Sequence, residues 1–503
     1  MTPTSWIIAT APPNPNGDLH LGHLSGPFLG ADVLARYLRS RGDDVVHVGY
    51  VDEHSTYVPR RAGELGRTAD DVAYDLGNRI ASTLELANMH PDFLGRPKRD
   101  VWHDEIVQGG FLRLLHAGAV IETEGDVYHC PVEDIPLYEA EIRGRCHHCE
   151  ASSDGFYCEE CGRPQESGRL LDPRCTSCNA IPILRRERRL AVALEPFRAR
   201  LEALWDRMPT RPRLRAYLDM LLNCDQLPLT PVSRVGEYGV PVPLDGWKGY
   251  YLDTWFSGLF GYIAATEGLR RVRGIGRGAA MWQEPDTQLV EFIGIDCSFS
   301  HAVLWVAMAI ALDPMVTPFA VMTNEFYTLE GAKFSTSRGH AIWGGDFLQK
   351  ESADDVRFHL CLTGPESAKS DFRVEDFRQT QRDVLAGGLD VIGSALCGDE
   401  RSGGDDRPLL DMVARLRAET AAVLDPASFS PAQATALIAK FATEDRDRTL
   451  DAIAGSSITG RRLAAIVLSD VLGPVMPTWA ERLKAEITSA PTPSRGSAAV
   501  VWP

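Results

Sequence analysis

The chain has 503 residues, 44% hydrophobic and 24% charged, which is enough for two to four domains with full cores. Its net charge of −17 argues weakly against a nucleic-acid-binding surface, since a local basic face can coexist with an acidic total, and DNA is not an expected partner. The longest strongly apolar run, residues 302–312, is too short to span a bilayer, and the N-terminus has no secretory pattern. We therefore expect a cytoplasmic protein without a membrane partner.

The first fifty residues predict a β-loop-α-β unit. Residues 5–11 have the apolar run of a buried strand, positions from Leu24 to Leu38 recur at helical spacing, and residues 45–51 form a second strand. Such a unit opens a parallel nucleotide-binding sheet, which binds ligands at the carboxyl ends of its strands. The α/β pattern resumes at residues 251–262 and 289–312, after a cysteine-rich interruption, and the sequence is helical from about residue 377.

Two short motifs have the chemistry of phosphate handling. His20 and His23 lie three residues apart, with Gly22 between them, at the expected start of a helix, where imidazoles can stabilise a phosphate during adenylate formation. Residues 331–339, GAKFSTSRG, form a Gly/Ser loop that can bring a cation over a leaving pyrophosphate. Its chemically active members are Lys333, Ser335, Ser337 and Arg338. Either motif alone also fits a solvated surface segment.

Six of the 11 cysteines form three CxxC pairs. Cys146, Cys149, Cys158 and Cys161 form a two-knuckle arrangement that suits tetrahedral Zn²⁺. The third pair, Cys175 and Cys178, needs two more ligands, and Cys130 with either His129 or Glu133 can supply them. One structural zinc is therefore expected. The second site has an alternative, a metal-free knuckle.

Together the two motifs resemble the HIGH and KMSKS signatures of class I aminoacyl-tRNA synthetases. The segments YVDEHST, YGVPVP, WFSGLFGY, EFIGID and FRVEDF narrow the resemblance to the methionyl-tRNA synthetases, from about Ile7 to Arg482. It implies an ATP-dependent ligase that forms an aminoacyl-adenylate with ATP and Mg²⁺.

The resemblance also implies roles for individual residues. The expected catalytic residues are His20, His23, Lys333, Ser335 and Ser337, and ATP would contact Asn16, Gly22, Gly294, Asp296 and Lys333. The amino acid would lie among Ala11, Pro12, Asn14, Asp52, Trp255, Gly258, Tyr262, Cys297, His301 and Trp305, with Asp52 on its ammonium group.

Several pocket and signature positions depart from the family pattern. The family's Ala-Leu-Pro-Tyr is Ala11-Pro12-Pro13-Asn14, its Ala-Pro is Gly258-Leu259, one Ile is Cys297, and the second signature lysine is Thr336. One methylene changes discrimination by about 1–3 kcal/mol, so these changes can switch the substrate away from methionine. Loss of one charged donor typically costs about 10²–10³ in rate, which leaves a slow enzyme or one with a compensating cation such as Arg338.

The C-terminal helices depart most. Methionyl-tRNA synthetases read the anticodon with an Asn and a Trp, whereas this chain has no Asn after Asn324 and no Trp between Trp343 and Trp479. The corresponding segment, LIAKFATEDRDRTL, is predicted to form one helix and carries Glu444, Asp445 and Asp447. Recognition of the methionine anticodon is not expected.

Three functions fit these patterns. The first is an adenylating enzyme whose acceptor is a small molecule rather than tRNA; such relatives, often paired with a cupin, esterify an N-hydroxylated amine on the way to an N–N bond, as in hydrazine biosynthesis. The second is a variant or resistant methionine–tRNA ligase that uses tRNA. The third is an inactive binding or regulatory paralogue.

The predicted fold is α/β, a Rossmann-type parallel sheet split by a zinc-knuckle insert and followed by a C-terminal helical bundle. The predicted divisions are two catalytic halves at 1–126 and 185–340, the insert at 127–184, a stem-contact region at 341–385, a degenerate anticodon-binding-like bundle at 386–490, and a tail at 491–503.

Overall fold

The computed structural model describes residues 3–165, 167–334, 340–398 and 404–489. The chain divides into two compact units. The first comprises Met1–Arg373 with Pro426–Ala432, and the second comprises Val374–Asp425 with Gln433–Pro503. The finer divisions proposed from the sequence stay predictions.

A five-stranded parallel sheet lies at the centre of the first unit. Its strands, from one edge to the other, are Pro318–Asn324, Thr287–Gly294, Ser5–Thr10, Asp44–Tyr50 and Phe93–Gly95. Trp6, Ile7, Ile8 and Ala9 are all buried, as expected for a strand covered on both faces. The α/β class predicted from the sequence is confirmed, and the first two strands begin and end within one residue of their predicted bounds.

Helices pack on both faces of this sheet. The chain enters the first of them through two short turns, Leu21–His23 and the π-helical Leu24–Phe28. The α-helices of eight or more residues are Leu29–Ser40, Tyr57–Leu65, Ala69–Leu86, His103–His116, Arg198–Trp205, Pro212–Leu222, Thr254–Arg273 and Ala353–Leu362. Shorter helical segments are Ser300–Leu304, Trp305–Ala311 and Gly344–Leu348, with 3₁₀ turns at Glu139–Glu141, Glu195–Phe197, Gly278–Gln283 and Ile295–Cys297. The helix Thr254–Arg273 is almost wholly buried along its first sixteen residues, so it is part of the core rather than a surface helix.

The cysteine-rich insert is carried on a pair of long antiparallel strands. Val120–Cys130 pairs with Ile183–Ala193, and Ile135–Leu137 and Leu229–Pro231 complete that sheet. A second small sheet, at the cysteines, consists of Ser152–Ser153, Ile142–Arg145 and Leu171–Cys175. Two further three-stranded sheets consist of Ser233–Val235, Tyr250–Leu252 and Val240–Pro241, and of Ala332–Lys333, Tyr327–Leu329 and Ser370–Phe372.

The second unit is helical, as predicted. Its helices are Val374–Gln379, Thr380–Leu389, Asp390–Cys397, Arg407–Leu424, Arg446–Gly455, Ile458–Leu472 and Pro477–Ser489, and the helix Pro431–Thr443 enters it from the first unit's short segment. The prediction that residues 437–450 form a single helix is wrong. One helix ends at Thr443 and the next begins at Arg446, because Glu444 and Asp445 form the turn between them.

Among the described residues, no helix is both long enough and apolar enough to cross a membrane.

Candidate active site

The carboxyl ends of three neighbouring strands bring predicted site residues to one edge of the sheet. Ala11 follows the strand Ser5–Thr10, Asp52 follows Asp44–Tyr50, and Asp296 follows Thr287–Gly294. The backbone joins these ends directly: the Asp52 N–H donates to the Pro13 carbonyl oxygen at 2.9 Å. Such an edge is where open parallel sheets bind nucleotides.

The two histidines of the first motif form a stacked pair. Their ring centroids lie 3.7 Å apart, and the Phe334 ring stacks on the other face of His20 at 4.5 Å. A Cβ at Gly22 would come within 3.0 Å of the His20 ring and 3.1 Å of Phe334, so a larger residue here would require these rings to shift. The first motif therefore touches the second one, since Phe334 follows Lys333 directly.

Backbone hydrogen bonds select the tautomer of both imidazoles. The His20 N–H donates to Nδ1 of His23 at 3.2 Å, and the His23 N–H donates to Nδ1 of His20 at 3.3 Å. Because each Nδ1 accepts, each neutral ring carries its proton on Nε2. Burial, followed by the charge of His23, lowers the pKa of His20 well below its usual value, which keeps that ring neutral. Both rings can therefore offer an Nε2–H donor to a phosphate oxygen.

Lys333 stands at the end of the strand Ala332–Lys333. Its Nζ lies 2.7 Å from a carboxylate oxygen of Glu159, between two cysteines of the insert. Ser335 and Ser337, like Thr336 and Arg338, lie outside the described residues. The chain after them returns to the first motif, where the Leu21 N–H donates to Ile342 O at 3.1 Å.

The residues expected to hold ATP lie around this pair of motifs. Asn16 is exposed in the loop that precedes His20. The Asp296 carboxylate folds over Gly294, where an added Cβ would come within 2.3 Å of its Oδ1. Burial and the nearby Glu159 raise the pKa of Asp296 to about 6. A carboxylate beside a glycine backbone at the end of a strand can accept hydrogen bonds from ribose hydroxyls.

Aromatic rings fill the expected side-chain pocket behind Asp52. The Tyr262 ring contacts Tyr50 at 5.3 Å and Trp305 at 5.2 Å, both edge to face, and His301 lies 3.9 Å from Trp305. The Tyr262 hydroxyl is 3.4 Å from Nε2 of His301. Tyr262 is 0% exposed and His301 and Trp305 are each 2% exposed, so these three rings pack on one another with almost no water-accessible surface.

Gly258 makes this packing possible. A Cβ at that position would come within 2.1 Å of Cζ2 of Trp305. The indole is held there because its N–H donates to the Trp255 carbonyl oxygen at 2.9 Å. The glycine at position 258, where the family pattern has alanine, therefore leaves the space that the Trp305 ring occupies.

Other predicted pocket residues lie at the mouth. Ala11, Pro12, Asn14 and Cys297 are all half-buried, and the Asn14 Oδ1 is buried without a hydrogen-bond partner among the described residues. Trp255 faces the insert instead of the ring cluster: it contacts Tyr157 edge to face at 4.6 Å, and its indole N–H donates to Glu139 at 2.8 Å.

Sequence reasoning missed a group of carboxylates beside Asp52. Burial raises the pKa of Asp52 to about 7, of Asp253 to about 6 and of Glu139 to about 8, and in Asp52 and Glu139 the charge of Asp253 adds to the effect. Arg234 opposes this effect on both aspartates. No local sequence pattern indicates Glu139, because it lies in the insert and approaches the site only in the folded structure. The group favours a cationic ligand.

Both predicted cysteine clusters assemble. Around Cys146, Cys149, Cys158 and Cys161 the Sγ atoms of Cys146 and Cys161 are 3.8 Å apart and those of Cys149 and Cys158 are 3.6 Å apart. Four thiolates around tetrahedral Zn²⁺, with Zn–S of about 2.3 Å, would be about 3.8 Å apart, so the residues fit a metal ion.

The second cluster contains Cys130, Glu133, Cys175 and Cys178. The Sγ atoms of Cys130 and Cys178 are 3.3 Å apart, and Cys175 Sγ is 3.8 Å from a Glu133 oxygen. Of the two alternatives for the fourth ligand, Glu133 joins the cluster, whereas His129 pairs with Glu187. This cluster can hold a metal ion as well.

Comparison with known proteins agrees with this architecture. The sequence profile of the family described as tRNA synthetases class I (M) matches residues 6–391. The chain belongs to the methionyl-type class I aminoacyl-tRNA synthetases. These synthetases are ATP-dependent ligases, and the two motifs, the split sheet and the paired cysteine clusters of this chain follow that pattern.

Relatives of this synthetase include archaeal methionine–tRNA ligases. That of Methanopyrus kandleri is 29% identical over 95% of this chain and 74% of its own length. Those of Methanocaldococcus jannaschii and Pyrococcus abyssi are 31% and 32% identical, over 77% and 76% of this chain but only 58% and 55% of their own lengths. The methionyl-tRNA synthetase of Mycobacterium tuberculosis bound by methionyl-adenylate has the same fold, with a TM-score of 0.73 at 16% identity over 95% of this chain and 93% of that one.

Proposed function

We propose that this methionyl-type synthetase activates an amino acid with ATP and transfers the acyl group to an acceptor other than methionine tRNA. The observation that carries the proposal is the combination of a complete first signature with a helical unit that offers no exposed aromatic side chain among its described residues.

The adenylation step follows from the first unit. A carboxylate oxygen of the amino acid would attack the α-phosphorus of ATP, and the bond to the leaving pyrophosphate would break. The Nε2–H groups of His20 and His23 would stabilise the charge on the phosphate oxygens, Lys333 would pair with the pyrophosphate, and Asp296 would bind the ribose. Mg²⁺, bound with ATP, would neutralise part of the phosphate charge.

The second unit supports an acceptor other than the anticodon-bearing tRNA. Its described aromatic residues, Phe377, Phe441 and Trp479, are 0%, 5% and 7% exposed. The Trp479 indole N–H donates to Asp390 at 2.8 Å, so that ring is used in packing. Base-specific reading of an RNA loop needs exposed stacking faces. The exposed Glu444 and Asp447 would in addition repel phosphates.

The pocket supports an amino acid other than methionine and a cationic acceptor. Trp305, over Gly258, occupies space beside Tyr262, which disfavours a long side chain. Arg234 lies near both Asp52 and Asp253, and the charge of Asp253 also acts on Glu139, so the carboxyl groups here favour two ammonium groups, that of the substrate and one on the acceptor. An N-hydroxylated amine of an amino acid, supplied with a cupin partner on the way to an N–N bond, has both the nucleophilic oxygen and this charge.

The cysteine clusters support two structural zinc ions. Zinc would be held by the four cysteines from Cys146 to Cys161, and a second ion by Cys130, Glu133, Cys175 and Cys178. When bound, the metal would organise the insert, which carries Glu139 and Glu159 to the site.

Amino-acid-dependent ATP–pyrophosphate exchange across all proteinogenic amino acids, combined with a tRNA-charging assay, tests the proposal. We expect exchange with at least one amino acid, loss of about 10²-fold or more in the His23→Ala variant, and no appreciable charging of methionine tRNA. Hydroxylamine should then release the activated acyl group as a hydroxamate. Efficient methionylation of methionine tRNA would overturn the proposal.

The second candidate is a methionine–tRNA ligase of translation. The relatives named above favour it, since all are methionine–tRNA ligases. It requires methionine to be the preferred amino acid in exchange and methionine tRNA to be charged, so the same two assays separate the candidates.

A further inference from the structure

A second lysine lies beside the signature Lys333. Lys333 and Lys369 approach the same ring, with their Nζ atoms 4.9 Å and 5.9 Å from the centroid of Phe326. The small sheet brings them there: the strand Tyr327–Leu329 pairs with Ala332–Lys333 on one side and with Ser370–Phe372 on the other. Because the two lysines flank the middle strand, the fold holds them together although 35 residues lie between them in the sequence.

The two lysines are bound in the same way. Lys333 Nζ lies 2.7 Å from Glu159, and Lys369 Nζ lies 2.7 Å from Glu160. Both glutamates lie between Cys158 and Cys161 of the first cysteine cluster. Arg213 holds this turn on the catalytic half, because it donates to the Glu160 carbonyl oxygen and pairs with Glu325. Two ammonium groups thus face two adjacent anionic groups.

These ion pairs are exposed enough for the lysines to leave the glutamates and bind another anion. The four side chains are between 44% and 53% exposed, and exposed ion pairs stabilise little. A polyvalent phosphate anion can therefore replace the glutamates. Lys333 and Glu159 both influence the charge of Asp296, which puts this group of charges beside the expected ribose position.

We propose that Lys369 is a catalytic residue that replaces the second lysine lost from the signature loop at Thr336, and that Glu159 and Glu160 hold Lys333 and Lys369 until ATP binds. The proposal rests on the adenylation function proposed above. As the carboxylate oxygen of the amino acid bonds to the α-phosphorus, the bond to the bridging oxygen breaks and its electron pair leaves with pyrophosphate. Lys369 would stabilise that developing charge together with Lys333.

The first test is ATP–pyrophosphate exchange in three variants of the full chain. Lys369→Ala should lower kcat by about one to two orders of magnitude, below the loss typical of a fully enclosed donor because Lys369 is exposed. Lys369→Arg should retain most of the rate. The control is Lys350→Ala, which removes an exposed lysine that lies outside both motifs and should leave the rate unchanged.

Rescue distinguishes a catalytic role from a structural one. Adding Thr336→Lys to the Lys369→Ala variant restores the family's own lysine and should recover at least part of the lost rate. An exchange rate in Lys369→Ala equal to that of Lys350→Ala, or a loss that Thr336→Lys does not recover at all while the thermal unfolding temperature is unchanged, would overturn the proposal.

Calorimetric titration with inorganic pyrophosphate decides the role of Lys369 independently of the amino acid. Lys369→Ala should weaken pyrophosphate binding at least fivefold, and Glu160→Gln should strengthen it by freeing Lys369. If no amino acid supports exchange in the unmodified protein, the proposed function fails. A weaker pyrophosphate affinity in Lys369→Ala would still support a phosphate-binding role for Lys369, and an unchanged affinity would reject that role.

Discussion

At the scale of single residues, Gly258 and Trp305 are in close contact in the proposed amino-acid pocket. The indole lies where even one methyl group on residue 258 would be 2.1 Å from a ring carbon. Neighbouring rings leave it little room, since Trp305 also contacts His301 and Tyr262. The size of the pocket is therefore sensitive to this one position.

Gly258→Ala should destabilise the protein by about 1–3 kcal/mol, as overpacking of a close-packed core does, and should change the amino-acid preference in exchange. Thermal unfolding and KM values for the amino acids measure the two effects. The matched control is Gly109→Ala, in the exposed middle of the helix His103–His116, where an added Cβ meets nothing within 4 Å and helix propensity predicts a small stabilisation. Equal stability of the two variants would contradict the packing argument.

We expect the pH dependence of amino-acid binding to follow from Asp52, the residue proposed to bind the substrate ammonium group. Burial raises its pKa to about 7, so the free enzyme protonates this carboxyl as the pH falls through that value. The neutral form cannot pair with an ammonium group. We expect kcat/KM for the amino acid to be highest above pH 7 and to fall as the pH decreases from 7 to 6. Asp219→Asn, on an exposed helix face, should keep this profile, and a flat profile in the unmodified enzyme would exclude Asp52 as the titrating group.

At the scale of elements, the insert contributes to the site as well as to the fold. The turn between Cys158 and Cys161 carries the two glutamates that pair with Lys333 and Lys369, and the turn at Glu139–Glu141 supplies the carboxyl that holds Trp255. Metal binding in the insert should therefore influence catalysis at a distance from the metal itself.

Cys158→Ser should remove about one zinc per chain and lower the thermal stability, because a structural thiolate site loses a ligand. Elemental analysis of the purified protein should find close to two zinc ions before the change. Cys224→Ser, at an exposed cysteine outside both clusters, serves as the control and should retain both ions. Less than one zinc per chain in the unmodified protein would contradict the assignment of the first cluster.

At the scale of the whole molecule, the exposure of aromatic side chains determines whether the protein can recognise the bases of an RNA loop by stacking. In the described part of the second unit they are all buried, and the chain as a whole carries a net charge of −17. Neither feature favours specific contacts with an anticodon loop.

Any charging of tRNA that is detected at high enzyme concentration should therefore be insensitive to the anticodon. Methionine tRNA and a variant with an altered anticodon should be charged at rates within a few-fold of each other, since each bidentate base-edge contact, where present, contributes about 1–3 kcal/mol of discrimination. A housekeeping methionine–tRNA ligase serves as the positive control for both substrates. Loss of charging on changing only the anticodon would return this protein to the second candidate function.

Much of the fold and part of the site could be predicted from the sequence. The apolar run before the first motif, the helical spacing after it and the CxxC pairs are local patterns, and local patterns depend on neighbours along the chain. They were sufficient for the parallel sheet, the split by the insert, the helical C-terminal part and the four cysteines of the first cluster. The family resemblance added the names of the pocket residues, but their roles stay predictions.

Only the tertiary structure decided which distant residues meet. Lys369 and Glu160 are 209 positions apart, and Lys333 and Glu159 are 174 positions apart, so no spacing along the chain indicates either pair. The same holds for Glu133 in place of His129 in the second cluster, for Glu139 beside Trp255, and for Trp305 over Gly258. Each depends on tertiary contacts, because side-chain contacts between distant segments are set by packing and charge compensation rather than by periodicity.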